Sequence, residues 1–191
     1  SELYENLSEV EAAADRATDL TRQLLAFAKG GAPVKKAASM AEIIRDSATF
    51  TMRGSNVRCD FHIDPELWPA EVDRSQISQV IQNLVLNADQ AMPSGGRMDV
   101  RAGNVARQTE NGLPLPLGRY LRITVCDQGV GIDEADLARI FDPYFTTKET
   151  GSGLGLATAY AIVQNHEGHI SVTSVPGEGT RFDVYVPATS A

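Results

Sequence analysis

The sequence predicts an α+β fold: a two-layer α/β sandwich preceded by one long bundle-type helix. Three observations predict it. Residues 1–29 contain no Pro or Gly and repeat apolar or small residues in steps of three, four or seven, at Leu3, Leu7, Val10, Ala14, Ala17, Leu24 and Ala28. From about residue 38, helical patterns and short alternating segments intermingle, as in a sheet with helices packed on one side. The last two alternating segments are joined by Pro176-Gly177-Glu178-Gly179, a tight turn that makes them antiparallel neighbours.

Residues 1–29 form a helix of about 43 Å at 1.5 Å per residue, longer than the domain behind it needs. Leu20, Leu25 and Phe27 widen its apolar stripe beyond a two-stranded seam, towards a helical bundle. The alternative is a helix folded back on its own domain. Gly30-Gly31-Ala32-Pro33 stops the helix, so 30–37 is a linker and 38–191 one packed domain. Within it the pattern predicts a helix over 41–53, strands over 57–63 and 67–72, and a helix over 74–92 stopped by Pro93 and Gly95-Gly96. Strands follow over 97–106 and 119–126, then a weakly patterned segment 133–152. A helix over 153–166 and strands over 169–175 and 180–186 close the chain.

The composition excludes some partners. Seventeen Lys and Arg against 25 Asp and Glu leave a net charge of -8, with no basic surplus for nucleic-acid phosphates. Cys59 and Cys126 stand far apart, without a metal or disulfide pattern, which suits a reducing, cytoplasmic setting. No apolar run approaches the ~18 residues of a membrane span, so no membrane contact is expected. The chain starts at Ser1, inside a helical pattern, and reads as a piece of something longer.

Three places carry chemistry. Asn83 and Asn87 sit one turn apart inside the apolar run Ile77, Val80, Ile81, Leu84, Leu86, Ala88, Ala91. Asn is a poor helix-interior residue, so the pair is either two solvated amides or a pair of oxygens aimed at a hydrated Mg²⁺. Asp127-Gln128-Gly129-Val130-Gly131 follows the apolar strand Leu121, Ile123, Val125. A carboxylate at the end of a buried strand can accept from a ligand amine such as that of adenine, and glycines let backbone approach closely; a simple Asx-type turn is the alternative. Gly151-Ser152-Gly153-Leu154-Gly155-Leu156 opens a helix, where free N–H groups and the dipole favour an anion, or where glycines form only a hinge. It is neither a Walker A loop nor a GxGxxG fingerprint. Between the last two places lies Ile140-Phe141-Asp142-Pro143-Tyr144-Phe145-Thr146-Thr147-Lys148, with Lys148 three residues before the glycines, as a phosphate point charge or as a solvated lysine.

Taken in order, QVIQNLVLNADQAM (Gln79–Met92), DQGVGI, IFDPYFTTK and GSGLGLA resemble the N, G1, F and G2 boxes of the histidine kinase catalytic domain. GEGTRF resembles a strand turn of the same superfamily, shared with gyrase, MutL and the heat-shock chaperone ATPases. The resemblance covers about 38–187. Residues 9–29 are similar to the second helix of that family's dimerisation and phosphotransfer hairpin, which assigns 1–29 to a partial hairpin. The resemblance implies ATP and Mg²⁺ as cofactors, with Asn87 as metal ligand and Asn83 supporting the phosphate end. It implies that Asp127 receives the adenine amine in a pocket shaped by Gly129 and Gly131, with Thr180 bonding adenine through its hydroxyl. Residues 133–152 would be a mobile ATP lid pinned by Phe141 and Phe145. Gly151, Gly153, Leu154 and Gly155 would wrap the phosphates, with Lys148 as a further phosphate contact. Asn87 and Lys148 are thus the catalytic candidates.

The implied activity is a protein histidine kinase: ATP γ-phosphate passes to a histidine and then to a response regulator receiver domain, in a homodimeric parent. Two departures stand out. Gln90 replaces a common Lys or Arg, and Ala91 replaces an aromatic. The phosphoacceptor is also missing: of His62, His166 and His169, His166 has Glu after it but falls at a helix-to-strand junction and reads as structural, and His62 falls on a strand. This piece alone is not expected to autophosphorylate. Two rivals remain: a gyrase- or MutL-like ATPase, which needs a carboxylate where Asn83 stands, and a non-catalytic dimerisation and docking module with a vestigial nucleotide site.

Overall fold

The computed structural model describes residues 32–108, 112–148 and 151–189; the helix expected over 1–29 lies outside them. The order of elements is β1 (Lys36–Ala38), α1 (Met40–Thr51), β2 (Val57–Ile63), β3 (Ala70–Val72), α2 (Arg74–Gln90), β4 (Gly96–Arg107), β5 (Gly118–Asp127), α3 (Glu134–Leu137), α4 (Gly155–Asn165), β6 (His169–Val175) and β7 (Gly179–Pro187). Five strands form one sheet in the order β2-β4-β5-β7-β6, parallel only between β2 and β4. The predicted two-layer sandwich is what forms.

Strand alternation explains the layering. Met98, Val100 and Ala102 of β4, Leu121, Ile123 and Val125 of β5 and Phe182, Val184 and Val186 of β7 are buried. They meet Ile43 and Ile44 of α1, Ile77, Ile81 and Leu84 of α2 and Ile162 and Val163 of α4 in one core. Each such fully buried side chain contributes about 1.5–3 kcal/mol relative to exposure. The opposite side of the sheet carries Arg58, His62, Arg97, Arg101, Arg122 and Arg181 at exposed positions.

Helix starts follow capping chemistry. Ser39 caps α1 by accepting from the Glu42 N–H. Asp73 caps α2, its Oδ1 accepting from the Ser75 and Gln76 N–H groups at 3.0 and 3.2 Å. Of the apolar surface expected on α2, Leu86 stays 43% exposed, while Val85, on the turn beside it, is fully buried.

The stretch 30–37 is partly structured where it is described. Lys36–Ala38 pairs antiparallel with β3, the Val34 N–H donates to Asp73 Oδ2 at 3.1 Å, and Lys35 Nζ bonds Glu167 Oε1 at 2.6 Å. Three residues without alternation give no strand signal; pairing with β3 makes them one. α3, a single turn inside 133–152, is likewise too short to show a period.

Candidate functional site

Asp127 ends β5, the central strand of the sheet, and is 4% exposed. Its Oδ1 accepts from the Gly129 N–H at 2.8 Å and the Thr180 N–H at 3.2 Å. Both bonds land on one oxygen. Burial pushes the carboxyl pKa up, while these two bonds and the positive charge of Lys148 pull against that rise.

The hydroxyl of Thr180 is fixed by a short relay. Ser174 Oγ donates to the Gly179 carbonyl at 2.9 Å and accepts from the Ile132 N–H at 2.8 Å. Ser174 Oγ and Thr180 Oγ1 are 2.8 Å apart. With the Ser174 proton committed to Gly179, Thr180 donates to Ser174 and keeps its lone pairs for a ligand donor. Ser174 belongs to this relay and was missed by sequence reasoning: a serine on a closing strand carries no signal of its own.

The two glycines after Asp127 answer to the protein's own packing. A Cβ on Gly129 would lie 2.6 Å from Ala91 Cβ and 2.7 Å from the Ala91 carbonyl oxygen, and the Val130 N–H donates to that carbonyl at 3.1 Å. Gly131 takes φ +73° against the Val175 carbonyl, where any side chain would collide. The small residue Ala91, a departure in the sequence, is what Gly129 packs on, at the C-cap of α2.

α2 brings the two asparagines to the start of α4. Asn83 Nδ2 donates to the Gly155 carbonyl at 2.9 Å, tying the helices together there. One turn on, Asn87 Oδ1 accepts from Lys148 Nζ at 2.8 Å, and Gln90 Oε1 accepts from the same ammonium at 2.9 Å. Burial pushes the lysine pKa down, and Asp127 opposes that fall. α4 begins at Gly155 with Leu154 as its N-cap and no side-chain capping bond, so its first-turn N–H groups are not taken up by a side-chain cap. Leu154 is fully buried; its N–H donates to Ser152 Oγ at 3.4 Å and its carbonyl accepts from the Thr158 N–H at 2.9 Å.

The segment between Asp133 and Gly155 is anchored at aromatic points. Phe141 packs on Tyr160 at 5.3 Å between ring centroids and on Phe182 at 6.4 Å. The Arg139 guanidinium lies 4.5 Å from the centre of the Phe145 ring. The Tyr144 N–H donates to the Gly153 carbonyl at 2.9 Å, with both residues in the left-handed region. The Lys148 N–H donates to Thr146 Oγ1 at 3.1 Å and the Gly151 N–H to the Lys148 carbonyl at 3.2 Å. These bonds join Gly151 and Gly153 to the segment carrying Lys148.

The histidines lie outside this constellation. His166 is 2% exposed; its Nδ1 lies 2.8 Å from the Ile162 carbonyl and its Nε2 accepts from the Asp73 N–H at 3.1 Å. Both nitrogens are committed, in accord with a structural histidine. His62 faces outward from β2 and sits 3.1 Å from Asp99 Oδ1.

Residues 72–190, well over half of the chain, match the family model described as "Histidine kinase-, DNA gyrase B-, and HSP90-like ATPase". The sensor kinase CckA of Brucella abortus is 34% identical over 191 residues, covering 96% of this chain and 20% of the relative. The signal transduction histidine-protein kinase AtoS of Escherichia coli is 32% identical over 186 residues, covering 96% of this chain and 29% of that protein. The chain thus spans about a fifth to a third of the length of these curated relatives. Among solved structures, the mycobacterial sensor histidine kinase MprB superposes with a TM-score of 0.69 at 25% identity, covering 83% of this chain and 100% of that one. No helix among the described residues is long and apolar enough to cross a membrane.

Proposed function

The chain belongs to the histidine kinase-, DNA gyrase B- and HSP90-like ATPase family, and from that premise we propose that it is the ATP-binding catalytic core of a two-component sensor histidine kinase. It binds Mg·ATP and presents the γ-phosphate to a histidine other than His62, His166 and His169. The phosphate then passes to an aspartate of a response regulator receiver domain. In the parent protein, residues 1–29 are the second helix of a dimerisation hairpin and pair with its first helix.

One observation carries the reading. Asp127 is buried, fixed through Oδ1 by two backbone N–H groups, and left with Oδ2 for an amine donor such as that of adenine. Thr180 adds a hydroxyl oriented to accept, which suits a water bridging to the same base. Around the phosphates, Gly153 and Gly155 contribute backbone N–H groups at the start of α4, Gly151 and Leu154, whose own N–H groups bond the Lys148 carbonyl and Ser152 Oγ, shape the loop, and Lys148 contributes a charge.

The residues present fit a magnesium ion carried in by the nucleotide. Asn87 Oδ1 and Gln90 Oε1 already hold a cation, the Lys148 ammonium. No group of three or more His, Cys, Asp or Glu among the described residues could hold a metal, so Asn87 is the side chain that would hold the nucleotide's ion. Bound there, it would supply charge neutralisation to the phosphates. The chain's own residues hold the base at one end and the terminal phosphate at the other, leaving the γ-phosphorus for in-line attack.

The hydrolytic alternative lacks its base. A water-activating carboxylate would stand where Asn83 is, and the Asn83 amide is bonded to Gly155; an amide takes no proton from water. Intrinsic ATP hydrolysis is accordingly slow.

Calorimetric titration of a non-hydrolysable ATP analogue with Mg²⁺ tests the site. Asp127→Asn and Asn87→Ala should each weaken binding by roughly ten-fold or more, as expected for losing a charge-assisted or metal-directed contact. Tight binding indifferent to both substitutions would contradict the placement.

A further inference from the structure

We propose that Lys148 is a built-in stand-in cation at the metal position, kept there by Gln90, and that a magnesium nucleotide must displace it from Asn87. The inference rests on the Mg·ATP reading above and goes beyond it by giving Gln90 a role.

The geometry is specific. Asn87 and Gln90 lie three residues apart on the last turn of α2, hence on one face. Their side-chain oxygens converge on one ammonium at 2.8 and 2.9 Å. Gln90 is exposed, and the bond to Lys148 is its only side-chain bond among the described residues. Such a residue contributes little to the core; what it does here is hold the lysine. The lysine backbone is itself tied down, through Thr146 Oγ1 and the Gly151 N–H. Displacement therefore requires a swing of the side chain and no rearrangement of the chain.

The exclusion follows from charge. An ammonium and a divalent ion sharing the Asn87 oxygen would stand in contact, and their repulsion inside a partly buried site is poorly screened. Occupancy by one removes the other. The ammonium satisfies Asn87 and Gln90 together. Asn87 would hold the magnesium ion of a bound nucleotide, and the Lys148 ammonium, released from Asn87, would turn to the phosphate chain, where its charge is favourable. Gln90 is thus a positioning residue: the more firmly it holds Lys148, the more magnesium is needed to load the site.

The test is binding of ADP by calorimetry across free Mg²⁺ from chelated to millimolar. In Gln90→Met, the half-saturating Mg²⁺ should fall by roughly three- to ten-fold, the effect of losing one exposed hydrogen bond to a charged group, with urea stability unchanged. In Lys148→Met it should fall as well, while ADP affinity in chelator drops because the phosphates lose the Lys148 charge. Gln90→Met should add nothing in the Lys148→Met background, since the two act as one unit. An unchanged or higher Mg²⁺ requirement in Gln90→Met, or an equal shift in the Lys148→Met background, would overturn the proposal while leaving the nucleotide site intact. Failure of the wild-type chain to bind ADP at any Mg²⁺ concentration would overturn the site reading and this proposal together.

Discussion

Replacing His166 with leucine probes how the end of α4 is tied to the start of α2, the two helices that frame the site. The ring is buried, with Nδ1 at 2.8 Å from the Ile162 carbonyl and Nε2 accepting from the Asp73 N–H at 3.1 Å. This arrangement needs the neutral ring with its proton on Nδ1. Leucine fills similar space but leaves the Asp73 N–H without an acceptor, and a buried unpaired donor costs about 1–3 kcal/mol. The Ile162 carbonyl keeps the backbone bond from the residue 166 N–H, at 3.1 Å. The expected loss is about 2 kcal/mol at neutral pH, or about 4–8 °C in Tm for a chain of this size.

Acid makes the test selective. Burial pushes the His166 pKa down; the bond to Ile162 opposes this, Lys35 adds to it, and the charges of Asp73 and Glu167 oppose it. The unfolded chain therefore takes up a proton near pH 6.5 that the folded chain refuses. The His166 contribution is complete above about pH 6.5 and is lost as pH falls below that, by up to about 1.4 kcal/mol per pH unit. Urea unfolding of wild type and His166→Leu at about pH 7.5 and about pH 5, on either side of the free imidazole pKa, should show the gap between them narrowing in acid. An equal gap at both values would refute the assignment of His166 as a neutral tie between α4 and α2.

Two further substitutions test how the site is framed. Gly129→Ala places a Cβ 2.6 Å from Ala91 Cβ, so the turn after Asp127 must shift; the expected cost is about 1–3 kcal/mol by urea unfolding, with weaker binding of the ATP analogue. Asp73→Ala removes the α2 cap and the bond from the Val34 N–H; it should cost about 1–2 kcal/mol and speed limited proteolysis within residues 32–36, whereas unchanged cleavage there would show that Asp73 does not hold that stretch.

The core elements were legible because their periods are long and clean. α2 and the strands β4, β5 and β7 fall within a residue or two of where alternation and stop residues put them. β1 was not legible because Lys36–Ala38 has no pattern of its own and becomes a strand through β3. The site residues were legible as unusual choices, but the reasons for some differ. Gly129 and Gly131 read either as room for a ligand or as parts of an Asx-type turn; the Gly129 N–H bond to Asp127 Oδ1 and the positive φ of Gly131 are those of such a turn, and contacts with Ala91 and Val175 require the glycines as well. Gln90 read only as a departure from a familiar pattern; its partner is 58 residues away, a relation no local pattern holds. Ser174 was invisible because its role depends on two elements, β7 and the turn at Ile132, meeting in space.

The central claim is that Asp127 reads an amine on the bound base. Titrations comparing ATP with inosine triphosphate test it most directly, because inosine carries a carbonyl where adenine carries the amine. Wild type should prefer ATP by roughly ten-fold or more, since a carbonyl facing the Asp127 carboxylate leaves two acceptors unpaired. In Asp127→Asn the side-chain amide can donate, so that preference should shrink or reverse. Equal affinity of the wild-type chain for the two nucleotides, or a preference untouched by Asp127→Asn, would contradict the account.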